Sequence, residues 1–377
     1  MESIEQMIKR LCPKGVEWKK ISEIAYYPKV RINTEILSVD TYVGVESLIK
    51  DRGGKTSSSS LPEGVAIEFL PQDILIGNIR PYLKKIWLSD CQGGTNGDVI
   101  CIRVLDSKEV IPKYLYHNLA SDKFFDYDNS HAKGGKMPRG DKNAILAYKI
   151  PVPPLEIQSR IVEVLDKMAT LTAELKAELE ARKQQYEYYR SKLLTFNEIG
   201  GGNRQVAWKK ISEICVKVYS GRNKSKTEQG LYPVYGSTGI IGMCESPVYN
   251  KRQILVARVG ANAGFVHLAD GSYDVSDNTI IIDLSKEVNQ KFVFYMLRNA
   301  NLNKFAKGGG QPLLTATQIK DFVIPVPSME EQQRIVSILD RFETLTTDLQ
   351  SGLPAEIEAR RQQYEYYRNK LLTFDAV

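Results

Sequence analysis

The stretch ARKQQYEYYRSKLLTF occupies residues 181–196, and the stretch ARRQQYEYYRNKLLTF occupies residues 359–374. If the glutamate before each stretch is included, 15 of 17 positions are identical at an offset of 178 residues. Aromatic and apolar residues recur in both strings at helical spacing, without glycine or proline. The chain therefore contains one helical element twice, and this duplication predicts its fold. We call residues 181–196 the first tail and residues 359–374 the second tail.

The duplication extends beyond the tails. IPVP occurs at 150–153 and 324–327, and 15 of the 26 residues that begin at each IPVP are identical. WKKISEI occurs at 18–24 and again at 208–214. The offset is 190 for WKKISEI, 174 for IPVP and 178 for the tails. The first middle region is therefore 16 residues longer than the second, and the second helical region has a four-residue insertion.

A long helix is predicted after each IPVP. Apolar residues follow at heptad-like steps, and a four-residue phase shift then leads into the tail, as in a coiled coil with a stutter. About forty helical residues would make a rod of about 60 Å. Gly352 and Pro354 predict a kink or an interruption in the second rod. The heptad positions are Ile161, Val164, Met168, Leu171 and Leu175 in the first copy and Ile335, Ile338, Phe342, Leu345 and Leu349 in the second.

The regions between the helices have β-strand patterns. DILIGNI and DVICIRV begin at residues 73 and 98, and QILVARV and NTIIIDL begin at residues 253 and 278. Since both pairs share an offset of 180, we expect the two regions to share a fold despite their low identity. Short helices are predicted near 112–122 and 288–300. We call residues 18–149 the first block and residues 208–323 the second block.

These patterns predict an α+β protein with internal pseudo-two-fold symmetry. Two β-rich blocks would be separated by two long antiparallel coiled-coil-like helices. The predicted segments are 1–149 (N-terminal segment and first block), 150–197 (first helix), 198–323 (linker and second block) and 324–377 (second helix).

The excess positive charge of the chain lies in the two blocks. The whole chain of 377 residues has a formal net charge of +6, while the first block alone has +3 and the second has +6. A basic block suits a polyanionic partner, although solvation of an ordinary surface would also account for +3. The five cysteines form no CxxC pair, and no secretion signal or apolar run of membrane length occurs. We therefore expect reduced thiols, a cytoplasmic location and no membrane span.

The sequence resembles the DNA-specificity subunit of type I restriction–modification systems. The resemblance rests on LCPKGVEWKKISEI (11–24), the twin IPVP-x-x-E-x-Q-x-RIV segments, TAEL (172–175) and the twin QQYEYYR-x-KLLTF tails. It covers the whole chain. It implies two target recognition domains that read a split, asymmetric DNA site, separated by two spacer helices. It also implies assembly with two methyltransferase subunits and, for cleavage, with two restriction subunits.

The same resemblance implies that S-adenosylmethionine, ATP and magnesium bind to the partner subunits, so no cofactor or metal is expected in this chain. The motifs agree with this division. GGKT (53–56) lacks the first glycine of a P-loop, and VGANAG (259–264) lacks the spacing of a dinucleotide-binding turn. His117, His131 and His267 stand beside no plausible nucleophile. No catalytic residue is therefore predicted.

The pattern of identity has a physical interpretation. Two like units can pack about a pseudo-two-fold axis, which would make the two rods antiparallel. Parts that are alike should contact something that is present twice, and parts that differ should contact two different things. We therefore expect two copies of one protein partner on the rods and two unequal DNA half-sites at the blocks, about one helical turn (~34 Å) or more apart.

Candidate DNA contacts in the first block lie in three loops, namely 52–57, which could wrap the duplex, 78–85 and 95–98. In NIRPYLKK (78–85), strand alternation would place Arg80, Tyr82 and Lys84 on one side, although an edge strand protected by charge is the alternative. TNGD (95–98) could reach bases or serve only as a turn. The candidates in these loops are Arg52, Lys55, Thr56, Asn78, Arg80, Tyr82, Lys84, Lys85 and Asn96.

The second block offers the strongest candidate loop. SGRNKSK (220–226) combines cations and an amide in a loop that follows a glycine, and a solvated loop is the alternative. YGSTG (235–239) adds hydroxyl groups on a flexible backbone, and two further candidates flank the exit of the second strand. The candidates are Arg222, Asn223, Lys224, Lys226, Tyr235, Ser237, Thr238, Arg258 and Asn262.

A glycine-rich string occurs at matching positions in both blocks, AKGGKMPR at 132–139 and AKGGGQP at 306–312. Glycine allows backbone amides to approach a phosphate closely, so these loops could anchor either unit without reading sequence. A loop shaped for packing against the rods is the alternative. The candidates here are Lys133, Arg139, Lys307 and Gln311.

Tyr188 and Tyr366 lie off the apolar lines of their tails, so each could contact a partner subunit or pack against a block. A protein-interaction scaffold that reads no DNA sequence is the alternative function for the whole chain. An enzyme that acts alone has little support in the motifs.

Overall fold

The computed structural model describes residues 2–196, 206–224, 227–308 and 310–374. The chain divides into two compact units. The first unit consists of residues 1–175 and 357–377, and the second consists of residues 176–356. Each unit therefore contains one block together with helical segments from both copies of the repeat. Within the described residues, no helix is both long and apolar enough to span a membrane.

The first unit is built around a β-rich block with short helices. The helices are α1 (Ile4–Leu11), α2 (Ile21–Ile24), α3 (Pro112–Leu119), α4 (Asp122–His131) and α5 (Lys142–Ala147). The strands are β1 (Trp18–Lys20), β2 (Ala25–Tyr26), β3 (Arg31–Asn33), β4 (Tyr42–Val43), β5 (Val65–Phe69), β6 (Ile74–Gly77), β7 (Ile86–Leu88), β8 (Gly93–Thr95), β9 (Val99–Val104) and β10 (Lys149–Pro151).

Two four-stranded sheets form the first block, in the orders β2-β9-β6-β7 and β3-β5-β8-β4, and β1 pairs with β10. Strands β6 and β9 are antiparallel neighbours, and Ile74, Ile76, Ile100 and Ile102 lie in the main core of the unit. Their continuous apolar runs fit strands that are buried on both faces. The strand predictions for this block are thus confirmed.

Helix α6 (Leu155–Leu194) follows the first IPVP and continues for 40 residues. A rise of 1.5 Å per residue makes it about 60 Å long, as expected. Residues 155–175 of this helix belong to the first unit, and residues 176–194 belong to the second.

The second block repeats the plan of the first. Its helices are α7 (Ile211–Ile214), α8 (Gln290–Asn299) and α9 (Ala316–Asp321). Its strands are β11 (Ala207–Lys210), β12 (Cys215–Ser220), β13 (Tyr232–Gly236), β14 (Gly239–Cys244), β15 (Tyr249–Asn250), β16 (Gln253–Ala257), β17 (Val266–Ala269), β18 (Ser272–Val275), β19 (Thr279–Leu284) and β20 (Val323–Val326).

The sheet orders are β12-β19-β16-β17 and β14-β13-β18-β15, and β11 pairs with β20. The order β2-β9-β6-β7 of the first block therefore recurs as β12-β19-β16-β17. In both blocks the other sheet contains one parallel pair, β4 with β8 and β13 with β18. The prediction that the blocks share a fold despite their low identity is confirmed.

The second helical region is interrupted, as Gly352 and Pro354 predicted. Helix α10 (Met329–Thr347) ends before the insertion, and helix α11 (Leu353–Leu371) begins within it. A side-chain carbon on Gly352 would lie only 2.6 Å from the carbonyl oxygen of Thr344. Only glycine therefore fits this close approach of the backbone.

Each tail packs in the unit that contains the other copy's block. In the first unit, the second tail contributes Leu372 and Phe374 to the core that contains Ile157 and Ile161 of α6. In the second unit, the first tail contributes Tyr186 and Leu194 to the core that contains Ile335 and Leu339 of α10. The two tails therefore serve the same structural purpose in two different units, which explains why their sequences match.

The heptad prediction was only partly correct. Ile161 and Ile335 are fully buried. However, Leu171 is 38% exposed, and Leu349 is 79% exposed because it lies beyond the end of α10. The buried line of α6 in the first unit runs instead through Ile157, Ile161 and Leu165, four residues apart, and faces the block. The helix predicted at 112–122 is confirmed as α3, which ends three residues earlier, at Leu119.

Candidate nucleic-acid interface

Three chain segments meet where strand β6 ends in the first block. The N–H of Asn78 donates to the carbonyl of Asp98 at 2.9 Å, which joins the strand exit to the TNGD turn. The N–H of Gly140 donates to the carbonyl of Asn78 at 3.1 Å, and the N–H of Arg80 donates to the carbonyl of Pro138 at 2.7 Å. The structure therefore brings together the strand exit, the TNGD turn and the glycine-rich string, which are far apart in sequence.

The second block has the same backbone arrangement at the end of β16. The N–H of Arg258 donates to the carbonyl of Asn278 at 2.9 Å. The N–H of Leu314 donates to the carbonyl of Arg258 at 2.8 Å, and that of Gly260 donates to Pro312 at 3.0 Å. Arg258 thus takes the place of Asn78, and Leu314 takes the place of Gly140.

The glycine-rich strings form matching hairpins beside these exits. Lys133 and Arg139 exchange two backbone hydrogen bonds of 2.8 and 2.9 Å, and Lys307 and Leu313 exchange two of 2.9 and 2.8 Å. The first glycine of each string has a positive φ, 104° at Gly134 and 114° at Gly308. That conformation favours glycine, which explains why the string recurs in two otherwise different blocks. We call residues 133–139 and 307–313 the glycine hairpins.

The cations of the first hairpin make ion pairs within the block. The ammonium group of Lys133 lies 2.5 Å from a carboxylate oxygen of Asp141, although 82% of the Lys133 side chain is exposed. The guanidinium of Arg139 lies 3.2 Å from the carboxylate of Asp98. Both side chains lie at the surface, but each already has a carboxylate partner.

Arg52 and Lys84 are less available for DNA contacts than Lys133 and Arg139, because both bind Asp122 at the start of α4. Lys84 donates to this carboxylate at 2.5 Å, and Arg52 also donates to it and to the carbonyl of Ala120. The fully buried Arg368 of the second tail lies 3.5 Å from the other carboxylate oxygen. Partial burial alone would raise the pKa of Asp122, but hydrogen bonds from Lys84 and Arg52 lower it to about 2. These cations therefore join the loops of the block to the tail.

The expected strand alternation through residues 80–84 is wrong. Residues Pro81–Leu83 form a 3₁₀ helix, and Arg80 and Lys84 on either side of it have φ values of 55° and 51°. Pro81 starts this turn, since its fixed φ suits the first helical position. The three predicted side chains therefore do not share a strand face. Tyr82 is 52% exposed.

Other candidates of the first block are also engaged internally. Asn78 is only 6% exposed. Lys85 donates to the carbonyl of Val45 at 2.6 Å, and burial lowers the pKa of Lys85. Lys55 donates to the carbonyl of Asp40 and lies 5.2 Å from the centre of the Trp87 ring. Of the remaining two, Thr56 is exposed and Asn96 is half-buried.

In the second block, the loop after β12 presents two cations that make no ion pair with the described residues. Arg222 and Asn223 both donate their N–H groups to the carbonyl of Val275, which holds the loop against the end of β18. The side chain of Asn223 donates to the carboxylate of Asp274. Arg222 and Lys224 are exposed and make no ion pair with the described residues. Lys226 lies outside the described residues.

The remaining candidates of the second block lie at the end of β13 and in the turn after it, at the exit of β16, and in the glycine hairpin. The N–H of Ser276 donates to the carbonyl of Tyr235, which places Tyr235 beside the loop of Arg222. Arg258 is half-buried and Lys307 is exposed, and neither makes an ion pair within the described part of the chain. Ser237 is half-buried, and the exposed candidates are Thr238, Asn262 and Gln311.

Sequence reasoning missed the polar contacts that hold each tail. In the first unit, the hydroxyl of Tyr364 lies 3.3 Å from Nδ1 of His117, whose Nε2 lies 3.4 Å from Asp166. Arg368 lies over the Tyr364 ring, 5.4 Å from its centre. Burial lowers the pKa of His117, although the contact with Asp166 acts in the opposite direction.

The second unit has a counterpart of this cluster. Arg190 lies over the Tyr186 ring at 5.6 Å. Tyr295 takes the place of His117 and donates to Asp340 at 2.7 Å. Both tails contain Tyr-x-x-x-Arg, and this shared pattern was the sequence signal for these contacts. The block residues that contact the tyrosine and the arginine could not be inferred from the repeat.

Tyr188 and Tyr366 are matched in the structure. They are 59% and 62% exposed, respectively, and each contacts the next tyrosine edge-on, with ring centres 5.3 and 5.4 Å apart. No group of three or more His, Cys, Asp or Glu side chains suited to a metal ion occurs among the described residues.

Comparison with known proteins places these features in a family. The profile described as "Type I restriction modification DNA specificity domain" matches residues 75–181 and 203–359. The specificity subunit of the type I restriction enzyme EcoR124I/EcoR124II of Escherichia coli is 36% identical over 304 residues, which cover 71% of this chain and 72% of that protein. A putative type I specificity subunit of Mycoplasma pneumoniae is 32% identical over 319 residues, covering 78% and 91%.

Solved structures share the fold. The S subunit of a type I restriction–modification system from M. genitalium matches with a TM-score of 0.60 at 16% identity, over 96% of this chain and 97% of that one. A chain from a study of complex assembly and conformational transition of the type I R-M system matches with a TM-score of 0.62 at 19% identity, over 96% and 98%. At these identities the likeness establishes the fold alone.

Proposed function

Because the chain belongs to the family of type I restriction–modification DNA specificity subunits, we propose that its two blocks read the two halves of a bipartite, asymmetric DNA site. Each block would contact one half-site with the surface around its glycine hairpin. The observation that carries this proposal is the matched backbone at the ends of β6 and β16, on which the two blocks display different side chains.

The shared part of each surface suits DNA phosphates. Glycine hairpins expose backbone amides, and Lys133 and Lys307 occupy the same position in the two hairpins. Phosphate contacts position a protein on DNA without reading its sequence. We therefore assign Lys133 and Lys307 to phosphate contacts in both half-sites.

The dissimilar part of each surface suits base reading. In the second block, Arg222 and Lys224 are exposed in the loop held at the end of β18, and Asn262 is exposed after β16. Arginine, lysine and asparagine are side chains that hydrogen-bond base edges. In the first block, Tyr82, Thr56 and Asn96 remain accessible. We propose that these two sets distinguish the two half-sites.

The exposed tyrosines suit a protein partner that is present twice. Tyr188 and Tyr366 have almost the same exposed fraction, and each contacts the tyrosine that follows it in the sequence. One kind of subunit can therefore contact both. We propose that each contacts one methyltransferase subunit, and that two restriction subunits join for cleavage. Alanine at both positions should release the methyltransferase subunits while the purified chain still folds. Unchanged co-purification would exclude the tyrosines from the partner surface.

We further propose that the chain is a non-catalytic, cytoplasmic subunit, and that S-adenosylmethionine, ATP and magnesium bind to its partners. Two experiments test the proposed function. Mapping modified bases across the host genome should give one split, asymmetric motif, and deleting the gene for this chain should abolish its modification. An unchanged methylation map after deletion would contradict the proposal.

A further inference from the structure

A buried carboxylate without a partner lies beneath the first glycine hairpin. Asp128, on α4, is 1% exposed, and neither of its carboxylate oxygens has a hydrogen-bond partner among the described residues. Burial raises the pKa of Asp128 to about 6. An unpaired charge in a protein interior is costly, so this carboxylate needs a positive neighbour or a proton.

A second unpartnered oxygen faces the same space. The side-chain oxygen of Asn78 is buried and also lacks a hydrogen-bond partner within the part of the chain that the structure describes. A side-chain carbon added to Gly140 would lie 2.4 Å from Oδ1 of Asp128 and 3.0 Å from Oδ1 of Asn78. Both oxygens therefore lie close to the α-carbon of Gly140, and a larger residue at position 140 would displace them.

The second block fills the equivalent space with apolar side chains. Counted from the hairpin lysines, Leu302 corresponds to Asp128 and Leu314 corresponds to Gly140. Both leucines are 1% exposed and belong to one hydrophobic core. The first block thus has one leucine side chain less at this place, and it has oxygen atoms where the second has methyl groups.

The charged groups around Asp128 leave one negative charge unbalanced, which a single positive charge would neutralise. Asp141 is a second carboxylate that acts electrostatically on Asp128, but it already binds Lys133 and accepts the N–H groups of Asn143 and Ala144. The imidazole of His131 is also near, with Nδ1 2.8 Å from the carbonyl oxygen of Tyr127. One uncompensated carboxylate is less charge than calcium or magnesium sites usually provide.

We propose that the space between Asp128, Asn78 and Gly140 binds a monovalent alkali cation, sodium or potassium, through carboxylate and amide oxygens. The cation neutralises Asp128 and ties α4 to the exit of β6. Because Gly140 donates its N–H to the carbonyl of Asn78, the same cation fixes the base of the first glycine hairpin. The site belongs to the first block alone.

The main test is thermal unfolding of the full-length chain near pH 8 at constant ionic strength, with sodium or potassium replaced by tetramethylammonium. A ligand that binds only the folded state raises the unfolding temperature in proportion to the logarithm of its concentration once the site is filled. Sodium or potassium should raise the midpoint of the wild type by about 2–4 °C. Equal midpoints in all three salts would overturn the proposal.

Matched variants locate the effect. Asp128→Asn keeps the shape but removes the charge, so its midpoint should not depend on the cation. Asp126→Asn makes the same change at an exposed position of the same helix and should respond like the wild type. If Asp128→Asn keeps the cation dependence, the site is not at Asp128. Hydrogen exchange in α4 and α5 should slow with the cation in the wild type only.

Asn78→Asp separates the cation from the rival arrangement in which the Asn78 amide donates to Asp128. A second carboxylate should lower the concentration of cation needed for half of the stabilisation, and calcium should begin to stabilise the chain. If Asn78 is instead a donor, Asn78→Asp will destabilise the chain without any stronger cation effect. Crystals soaked in thallium(I) should show an anomalous peak between these residues, and its absence at full soak would contradict the site. All these readouts are independent of DNA binding.

Discussion

The two blocks share one backbone plan but use their positive charge differently. In the first block, Arg52 and Lys84 are held by Asp122, and Arg139 is held by Asp98. In the second block, Arg222 and Lys224 make no ion pair with the described residues. The net charges of +3 and +6 therefore understate the difference in what each block can offer to a polyanion. Counting cations in a sequence measures charge, whereas binding depends on cations that have no internal partner.

The largest expected effect concerns the internal cations of the first block. Asp122→Ala would leave Arg52, Lys84 and the buried Arg368 without their shared carboxylate. Because the Asp122 side chain is one third exposed, the loss of these charge-assisted hydrogen bonds should cost about 2 kcal/mol, less than the loss of a fully buried partner. Urea unfolding of the first unit should show this loss, and Asp126→Ala, at an exposed site of the same helix, should change the free energy of unfolding by less than about 0.5 kcal/mol.

Asp122 also predicts how the stability of the first unit changes at acid pH. Since the pKa of Asp122 is lowered to about 2 in the folded state, its contribution is complete above the unfolded value near 4 and is lost as the pH falls towards 2. The first unit should therefore lose stability over this range, and Asp122→Ala should lose correspondingly less. An identical acid profile in both proteins would show that Asp122 does not stabilise the fold.

Substitution of Arg222 and Lys224 in the second block should change the affinity for DNA rather than the stability of the fold. The double variant Arg222→Ala/Lys224→Ala should weaken binding to the target duplex, because two phosphate or base contacts are lost. If both residues contact phosphates, the salt dependence of log K should become shallower by about 1.8. Binding titrations at several salt concentrations measure this slope. The unfolding midpoint should stay that of the wild type, in contrast to Asp122→Ala.

The hairpin lysines sharpen the comparison, because they occupy equivalent positions with different surroundings. Lys307→Ala should lower the salt slope by about 0.9, the value for one phosphate contact. Lys133→Ala should have a smaller effect, since Lys133 exchanges its contact with Asp141 for one with DNA. Neither substitution should alter the methylated sequence. A changed motif after either substitution would mean that the hairpins read bases.

The smallest expected effect concerns His117, which contacts the second tail at the position where the second unit has Tyr295. Because burial lowers the pKa of His117, its stabilising neutral form is complete above the unfolded pKa near 6.5, and stability is lost as the pH falls through the folded value. The loss cannot exceed about 1.4 kcal/mol per pH unit for one proton. His117→Tyr, which copies Tyr295 of the second unit, should remove this dependence in thermal unfolding between pH 7 and 5. A dependence that persists in the variant would assign it to another group.

Much of the fold could be predicted because it depends on local patterns. The strands at β6, β9, β16 and β19 follow from apolar runs between turn residues, and the break before α11 follows from Gly352 and Pro354. The antiparallel rods also imply that each tail lies beside the start of the other helical region. The block residues that meet the tails, such as His117 and Tyr295, could not be predicted because the two blocks have low identity.

The candidate interface was predicted less well, for two physical reasons. Arg80 and Lys84 have positive φ values, which only special turns impose on residues other than glycine, so strand alternation failed there. Asn78 was chosen as a polar residue at a strand exit, but its side chain points into the block. The polarity of a residue does not show whether its side chain is buried in the block or lies at the surface, where it could contact DNA. The assignment of individual DNA contacts stays a prediction.

The most direct test of the whole account is an exchange of residues 208–323 for the corresponding segment of a relative with a known target, followed by mapping of modified bases in cells that contain the hybrid. We predict that one half of the split motif will change to that of the donor, while the other half and the spacer length will be retained. A hybrid that folds and assembles but changes both halves, or neither, would contradict the claim that each block reads its own half-site.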